Sequence, residues 1–311
     1  MITIRLYSSD NFDLWNTFVA SAKNGIFMHN RNFMEYHKNR FTDNSLMFYD
    51  DEELLALLPA NKKGTELVSH GGLTYGGVIT NTKMKEYKML ECFEVLKSYM
   101  KENGFTSLIY KTIPYCYYTN PAQEDLYALF RNDAKILKIE PSSVIDFRYP
   151  IKLPKGRKAQ IGRAKREGVT IELSTDFETF IALENSVLSE HHNTKAVHTG
   201  AELSLLHERF PEQIELYAAM YQGKMIAGSV VFVYQNVVHI QYLAADKIAR
   251  EIGALDYCIS EIMTKYSSTK QFLDFGISTE DGGKVLNEGL ISQKEGFGAR
   301  TIAYQTWIME L

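Results

Sequence analysis

Two carboxylates and a hydroxyl group lie close together near the C-terminal end of the chain. Asp274 lies near the end of a predicted strand over residues 271–276, and Ser278 and Glu280 follow that strand. Open α/β sheets bind their ligands beyond the carboxyl ends of the strands. Asp274 and Glu280 are therefore candidate general bases, which would remove a proton from a nucleophile, and Ser278 is a candidate substrate contact. The alternative for either acid is a structural role as the cap of a loop.

The helix predicted next, over residues 284–296, presents two polar side chains on one face. Asn287 and Lys294 are seven residues apart, which is close to two helical turns. Together they could bind a substrate beside the end of the preceding strand. The alternative for Lys294 is a solvated surface lysine, because lysine is rarely buried without a partner.

Four of the eight histidines fall within 17 residues: His191, His192, His198 and His207. Their spacing does not match the His-Glu-x-x-His pattern of a helical zinc site, and no carboxylate partner is fixed by the sequence. We therefore predict no metal site. Recognition of a substrate by His192 or His198, or a polar surface loop, are the two interpretations that remain.

A glycine-rich segment covers residues 71–77, with the sequence Gly-Gly-Leu-Thr-Tyr-Gly-Gly. It lacks the Gly-Lys-Ser/Thr ending of a P-loop. Its backbone N–H groups could approach the phosphate of a nucleotide sugar or a lipid, with His70 and Tyr75 as further substrate contacts. The alternative is a closely packed strand or bulge in which glycine is needed for space.

Residues 152–167 form a basic segment with seven lysines and arginines and one acid. The segment carries a charge of +6, which leaves −10 for the rest of a chain whose formal charge is −4. On a helical wheel, five of the cations fall within an arc of about 160°. Such a face can meet the phosphates of RNA, an anionic membrane surface or water. The five residues are Lys155, Lys158, Arg163, Lys165 and Arg166.

Arg157 lies outside this basic arc, on the face that it shares with Ile161 and Ala164. A guanidinium group can bind a carboxylate or a phosphate through two parallel hydrogen bonds. Arg157 is therefore the residue of this segment that we expect to make a specific substrate contact.

The chain has 311 residues, 45% of them hydrophobic and 23% charged, which is an ordinary globular composition of about two domain lengths. A formal charge of −4 argues against a DNA-binding protein that coats nucleic acid over its whole surface.

Cys92, Cys116 and Cys258 are odd in number and far apart, so we expect buried thiols rather than disulfides. The sequence shows neither a signal peptide nor an apolar run of ~18 residues, and we expect a cytoplasmic protein.

Hydrophobic periodicity predicts a mixed α/β protein. In the first half it predicts strands over 2–7 and 107–113, helices over 11–22, 83–103 and 123–131 with Asp10 as the first N-cap, and one or two strands over 134–149 broken near Pro141. The second half has the order β-α-α-β-β-β-α-β-α-β. Its predicted elements cover 169–173, 177–189, 202–209, 214–221, 225–233, 237–244, 253–266, 271–276, 284–296 and 300–309.

That order of elements is similar to the GNAT acyltransferase fold. The segment Lys155-x-Arg157-x-x-x-Ile161-x-x-Ala164-x-x-x-Gly168-Val169 and the endings at Leu273–Gly276 and Lys294–Gly298 resemble the FemAB-like branch, in which two GNAT-like domains stand in tandem. The resemblance implies an α/β chain with an acceptor-side domain over 1–150 and a donor-side domain over 151–311. It also implies transfer of an acyl group to an amine, from acyl-CoA in the wider group and from aminoacyl-tRNA in Fem enzymes.

The resemblance also implies roles for single residues. Lys294 matches a lysine that positions the reactants or stabilises charge at the transfer centre, although the phenylalanine before it is replaced by Gln293. A backbone N–H group at Ala244 or Ala245 would contact the oxyanion. Residues 250–255 match the turn that binds the CoA pyrophosphate through Arg250 and Gly253, but Leu255 replaces a small residue. His192 and His198 fall in the loop that often contacts the acceptor.

These observations lead to one favoured hypothesis and two alternatives. The favoured one is an N-acyltransferase that uses acyl-CoA, such as acetyl-CoA, as co-substrate and no metal. Its acceptor would be a cell-envelope precursor, an amino sugar linked to a nucleotide or a lipid, with peripheral contact between the basic helix and the inner membrane surface. The first alternative is an aminoacyl-tRNA-dependent, Fem-like aminoacyltransferase, and the second is a non-catalytic GNAT-fold module that binds a ligand.

Overall fold

The computed structural model describes residues 1–149, 152–191 and 195–311. The chain forms two compact units, one of residues 1–140 and 303–311 and the other of residues 141–302. The boundary predicted from the sequence at residue 150 assigns the last strand to the second domain, whereas its contacts group residues 303–311 with the first unit. Within the described ranges, no helix combines the length and the apolar character needed to cross a bilayer.

The first unit contains two sheets and four α-helices. One sheet has the strand order β1-β3-β4-β7, and the other strands follow the order β17-β8-β6-β5-β2. A core of large side chains lies between the strands and α3, with Phe93, Leu96 and Tyr110 among its members. The elements are β1 (Ile2–Leu6), α1 (Phe12–Ser21), α2 (Arg31–Met34), β2 (Thr42–Asp43), β3 (Leu46–Asp50), β4 (Glu53–Leu58), β5 (Asn61–Lys63), β6 (Glu66–Val68), β7 (Ile79–Thr80), α3 (Glu86–Glu102), β8 (Ser107–Lys111), α4 (Glu124–Arg131) and the first part of β9 (Lys135–Asp146).

The second unit is built on a mixed sheet with the order β10-β11-β12-β13-β14, followed by the second part of β9. All neighbouring pairs are antiparallel except β13 and β14, which are parallel. Its elements are α5 (Lys155–Arg166), β10 (Thr170–Ser174), α6 (Phe177–His191), α7 (Gly200–Arg209), β11 (Ile214–Tyr221), β12 (Lys224–Val233), β13 (Val237–Ala245), α8 (Lys247–Ile252), α9 (Ala254–Tyr266), β14 (Phe272–Ile277), β15 (Thr279–Glu280), β16 (Val285–Leu286) and α10 (Glu288–Glu295). The last strand, β17 (Arg300–Glu310), begins in this unit and continues from Ala303 in the first.

The two faces of this sheet differ in character. On one face, α9 packs on an apolar core that includes Val238, Ile240 and Leu273. Helix α6 lies on the other face. A Cβ atom added at Gly228 of β12 would be 3.1 Å from the ring of Phe180, which belongs to α6. Side chains alternate between the faces of a strand, so residues next to the apolar core positions point toward α6. This second face carries the polar residues of the candidate site.

The sequence predicted the mixed α/β class and most elements of the second half, and these predictions are confirmed. Three local predictions were wrong. Asp10 lies inside a 3-10 turn rather than capping α1, and β9 runs through Pro141 without a break. The helix predicted over 284–296 begins only at Glu288, because the preceding residues form a 3-10 turn and the short β15–β16 hairpin. The three cysteines are buried thiols, as expected.

Candidate active site

The candidate site begins where β13 and β14 separate. These parallel strands pair at only three positions, from Val237 with Phe272 to His239 with Asp274. Beyond that point β13 continues along β12 as far as Ala245, whereas β14 turns at Gly276, whose φ is +74°. After His239, the edge of β13 that faces β14 is therefore no longer paired with that strand and is open.

The open edge of β13 directs backbone donors into this gap. The N–H group of Asp246 donates to Ile226 of β12 at 2.9 Å. Because donors alternate between the two edges of a strand, the N–H groups of Ala245 and Leu243 point to the opposite edge. Ala244 and Ala245 are both buried, and their small side chains allow an acyl chain to approach the backbone. Of the two residues expected to contact the oxyanion, Ala245 therefore has its N–H group on the open edge, whereas that of Ala244 points toward β12, and the oxyanion contact itself stays a prediction.

Three buried polar side chains meet at the end of the β13–β14 pairing. Asp274 is fully buried, and its Oδ1 accepts hydrogen bonds from the Ser142 hydroxyl at 2.7 Å and the Gly276 N–H at 2.8 Å. Its Oδ2 lies 2.9 Å from Nδ1 of His239. Both carboxylate oxygens of Asp274 are thus occupied. The carboxylate is placed to orient the His239 ring, which is the role that an acid plays beside a catalytic histidine.

Lys294 is buried, with 5% of its surface exposed, and is not the solvated lysine of the alternative interpretation. Its ammonium group donates to the carbonyl oxygens of Gly276 at 3.0 Å and Ile277 at 2.6 Å. Burial lowers its pKa to about 8, and the Asp274 carboxylate opposes that shift. An ammonium group has three N–H donors, so one remains after the two carbonyl contacts. Lys294 therefore places one N–H donor at the end of β14.

The other polar residues predicted near this strand fall into two groups. Ser278 is buried, and its hydroxyl has no hydrogen-bond partner among the described residues. Asn287 caps α10 by accepting a hydrogen bond from the N–H of Leu290, and its amide donates to Glu280 at 2.8 Å. Glu280 is exposed and held by this contact. Ser278 thus belongs to the buried site, whereas Glu280 and Asn287 lie at the surface beside it.

The turn at Gly253 joins α8 to α9 in a left-handed conformation, with a φ of +79°. A Cβ atom there would lie 2.6 Å from the carbonyl oxygen of Gln160, so α5 passes directly over this turn. Asp256 follows in the first turn of α9, and Arg250 is exposed in the last turn of α8. Glycine is required here both by the backbone conformation and by the close approach of α5.

Arg157 binds a protein carboxylate. Its guanidinium group forms an ion pair with Asp256 and donates to the carbonyl oxygen of Gln293 at 3.1 Å. It also lies 4.0 Å from the ring centroid of Phe297. Arg157 thus ties α5 to the first turn of α9 and to the residue before Lys294. Its predicted contact with a substrate stays a prediction.

The basic face of α5 is exposed, as the helical wheel predicted. Ile161 and Ala164 are buried on the opposite side. Lys165 lies 3.6 Å from Glu261, whereas its four basic neighbours on this face form no ion pair within the described residues. The four unpaired residues are Lys155, Lys158, Arg163 and Arg166.

A second polar group lies on the α6 side of β13. Gln241 is an extra residue in β13 opposite β12, so Tyr242 points to the same face as His239. The Tyr242 hydroxyl lies 2.6 Å from Nδ1 of His198 and accepts the His198 N–H at 3.3 Å. Glu184 of α6 is buried close by, and its pKa is raised to about 7 by burial. His192, the other histidine predicted in this loop, lies outside the described residues.

The glycine-rich segment of the first unit is closely packed. A Cβ atom at Gly76 would lie 1.9 Å from the carbonyl oxygen of Ser69, and the N–H groups of Gly76 and Gly77 donate to Lys111. His70 is buried, and burial lowers its pKa to about 3, so it offers no charge to a phosphate near pH 7. The buried Tyr75 hydroxyl lies 2.8 Å from that of Tyr304. Substrate binding by His70 and Tyr75 stays a prediction.

Sequence reasoning did not find four residues of this site: Ser142, Glu184, His239 and Tyr242. A single histidine, serine or tyrosine within an apolar strand carries no spacing signal. Only the pairing of β13, β14 and β9 brings Ser142, His239 and Asp274 together. Within the described ranges, this site included, no cluster of three or more His, Cys, Asp or Glu side chains could hold a metal ion.

Comparison with known proteins identifies this fold. Residues 155–281 match the family model for the acetyltransferase (GNAT) domain. No curated protein sequence matches the chain significantly. Among solved structures, FemX superposes with a TM-score of 0.69 at 12% identity, over 99% of this chain and 97% of its own.

Two further structures share the fold over nearly the whole chain. The C-terminal domain of an Agrobacterium fabrum protein designated a lysylphosphatidylglycerol synthetase has a TM-score of 0.63 at 12% identity, covering 97% of this chain and 92% of its own. A tandem GNAT protein from the clavulanic acid pathway has a TM-score of 0.54 at 10% identity, covering 100% and 98%. The predicted tandem GNAT fold of the FemAB-like type is thus confirmed.

Proposed function

We propose that this chain, which carries a GNAT domain within a tandem fold like that of FemX, transfers an aminoacyl group from aminoacyl-tRNA to an amine of a cell-envelope precursor. Acyl transfer is the chemistry of the GNAT domain that residues 155–281 match. Aminoacyl-tRNA as the donor reverses the preference for acyl-CoA that was reached from the sequence. One observation carries that choice: the four cations of α5 without an acidic partner in the described part of the chain, on a helix that contacts the residue before Lys294.

The position of α5 supports a donor with a phosphate backbone. Arg157 of α5 donates to the carbonyl oxygen of Gln293, so the basic helix reaches the residue beside Lys294. Four exposed cations along the same helix have no acidic partner in the described part of the chain. Each phosphate that such a cation neutralises releases counterions and adds to affinity. A tRNA could thus bind along α5 while its acylated end enters the gap between β13 and β14.

The turn at Gly253 speaks against CoA as the main donor. An acid in the first turn of a helix opposes binding of a pyrophosphate at that N-terminus, because both are negative. Asp256 occupies that turn, and its ion pair uses Arg157, a cation that a pyrophosphate would otherwise meet. The carbonyl oxygen of Gln160 adds a further negative dipole beside Gly253.

The reaction follows from the groups at the end of β14. The acceptor amine attacks the carbonyl carbon of the donor ester, the C–N bond forms, and the C–O bond to the tRNA then breaks. Negative charge develops on the carbonyl oxygen, where the third N–H of Lys294 and the N–H of Ala245 can stabilise it. Asp274 fixes the ring of His239 beside these groups. A lipid-linked acceptor is supported by one structural neighbour, which is named for an aminoacylated phospholipid.

Binding of uncharged tRNA tests the donor. We expect the double variant Lys158→Glu/Arg163→Glu to bind tRNA at least tenfold more weakly than the wild type. The slope of log K against the logarithm of the salt concentration should be less steep by about 1.5 to 2. The double variant Lys85→Glu/Lys101→Glu, on exposed lysines at the N-cap and in the last turn of α3, is the matched control and should bind as the wild type does. Equal binding of tRNA by the wild type and the α5 variant would contradict the proposal.

Acetyl-CoA remains the second candidate donor, because the tandem GNAT protein of the clavulanic acid pathway is described with reference to acetyl-CoA. Calorimetric titration with acetyl-CoA separates the two. Tight binding that is lost in Gly253→Ala, together with absent tRNA binding, would favour CoA. A protein that binds either donor but transfers no acyl group to any amine would instead be a ligand-binding module.

A further inference from the structure

A carboxylate on α6 is buried, and one of its oxygens has no hydrogen-bond partner among the residues that the structure describes. Glu184 has 7% of its surface exposed, and its Oε2 forms no hydrogen bond in the described part of the chain. A buried carboxylate normally has a donor or a cation beside it, because its desolvation is costly. Glu184 is therefore held in an unfavourable environment that packing alone does not explain.

The neighbours of Glu184 place it on the polar face of the sheet. Helix α6 packs against β12 and β13, and the Glu184 carboxylate is close enough to Tyr242 to contribute to the rise in its pKa, which burial chiefly causes. The N–H of Ala196 donates to the Asn185 side chain at 2.9 Å, which ties the segment before α7 to α6. The Glu184 carboxylate thus lies where α6, the segment before α7 and β13 come together.

The polar side chains described near Glu184 are a tyrosine and a histidine. Tyr242 faces it from β13, and His198, in the segment before α7, contacts the same hydroxyl. Among the described residues, no lysine or arginine forms an ion pair with Glu184, and burial is the sole cause of its raised pKa. Within the described residues, this position thus combines a carboxylate and a hydroxyl without a paired lysine or arginine.

We infer that Glu184 binds the ammonium group of the acceptor and accepts its proton, an inference that rests on the acyl transfer proposed above. Glu184 takes one proton from the ammonium group, and the neutral amine then forms the C–N bond with the donor carbonyl carbon. The second proton moves from nitrogen to the leaving oxygen as the C–O bond breaks, and Glu184 returns its proton to water. The acceptor is thereby specified as an amine that carries at least two N–H protons in its ammonium form.

Binding of two sugars tests this role without any acyl donor. Glucosamine carries the amine, and N-acetylglucosamine is its uncharged counterpart. We expect the wild type to prefer glucosamine by at least tenfold in an NMR titration at pH 7.5, and Glu184→Gln to lose that preference. Glu178→Gln, an exposed position on the same helix, is the matched control and should keep it.

The outcomes separate the two proposals. An unchanged preference in Glu184→Gln, or no preference in the wild type, overturns the role of Glu184. A preference that depends on Glu184 in a protein that transfers no acyl group from aminoacyl-tRNA or acetyl-CoA supports the amine site and refutes the proposed function. Glu184→Met, an uncharged residue of similar length, is the second variant if glutamine at this position prevents folding.

Discussion

Nδ1 of His239 lies 2.9 Å from Oδ2 of Asp274, and these two residues form the last pair before β13 and β14 separate. The same carboxylate accepts hydrogen bonds from Ser142 and from the N–H of Gly276. The residue that orients the histidine therefore also holds the backbone turn whose carbonyl group binds Lys294. Orientation of the ring and placement of the ammonium group depend on one buried side chain.

Replacing Asp274 with asparagine should disturb both arrangements. The Ser142 hydroxyl and the Gly276 N–H lose a charged acceptor, and we expect the free energy of unfolding to fall by about 1–3 kcal/mol. The tautomer of His239 should also change, which ¹⁵N NMR of the ring reports. Ser142→Ala removes one hydrogen bond but keeps the carboxylate beside His239, so its ring signals should stay as in the wild type. Unchanged ring signals in Asp274→Asn would contradict a positioning role.

Lys294 should limit the reaction at high pH. Because burial lowers its pKa to about 8, the ammonium form is lost as the pH rises through that value, and stabilisation of the oxyanion is lost with it. We expect kcat/KM for acyl transfer to fall above about pH 8. Arginine stays charged throughout this range, so Lys294→Arg should lack the alkaline decline even if its rate is lower. A decline near pH 8 that persists in Lys294→Arg would assign it to another group.

Gly253 should tolerate a side chain poorly. Gly253→Ala combines a strained φ of +79° with a Cβ atom 2.6 Å from the Gln160 carbonyl oxygen, so we expect a loss of about 2–4 kcal/mol in chemical denaturation. Gly168→Ala is the matched control, because its φ is +85° but nothing lies within 4 Å of the added atom. That variant should lose only about 1 kcal/mol. Similar losses in both variants would show that α5 can move away from the turn.

Glu184 should make the wild type less stable as the pH rises. Its folded-state pKa of about 7 lies above the ordinary value, so the folded protein binds the proton more tightly than the unfolded chain does. The stability present at acidic pH is then lost between about pH 4.5 and 7, by up to about 3 kcal/mol. Glu184→Gln should gain stability relative to the wild type across this window, as denaturation midpoints at pH 5 and pH 8 would show. Parallel pH profiles for the two proteins would contradict the burial of an ionisable group.

The sequence predicted elements whose periodicity is regular, but not those set by tertiary contacts. The basic face of α5 and the strands of the second unit follow from local pattern, because side-chain period is fixed by helix and strand geometry. The spacing to Asn287 placed Lys294 on a helix face, but its role at the transfer centre came from the resemblance, since no local pattern distinguishes a buried lysine from a solvated one. His239, Tyr242 and Glu184 became candidates only once strand pairing and the extra residue at Gln241 had placed them on one face. The start of α10 was missed because the β15–β16 hairpin depends on pairing across a turn.

The grouping of residues 303–311 with the first unit has a consequence for biosynthesis. Residues 141–302 are contiguous, whereas the first unit receives the strand that pairs with β8, over Thr306–Glu310, only after all of them have been translated. Distant contacts form late because closing a long loop costs entropy. The sheet of the first unit can therefore be completed only after the segment that contains Asp274 and Lys294 has been synthesised.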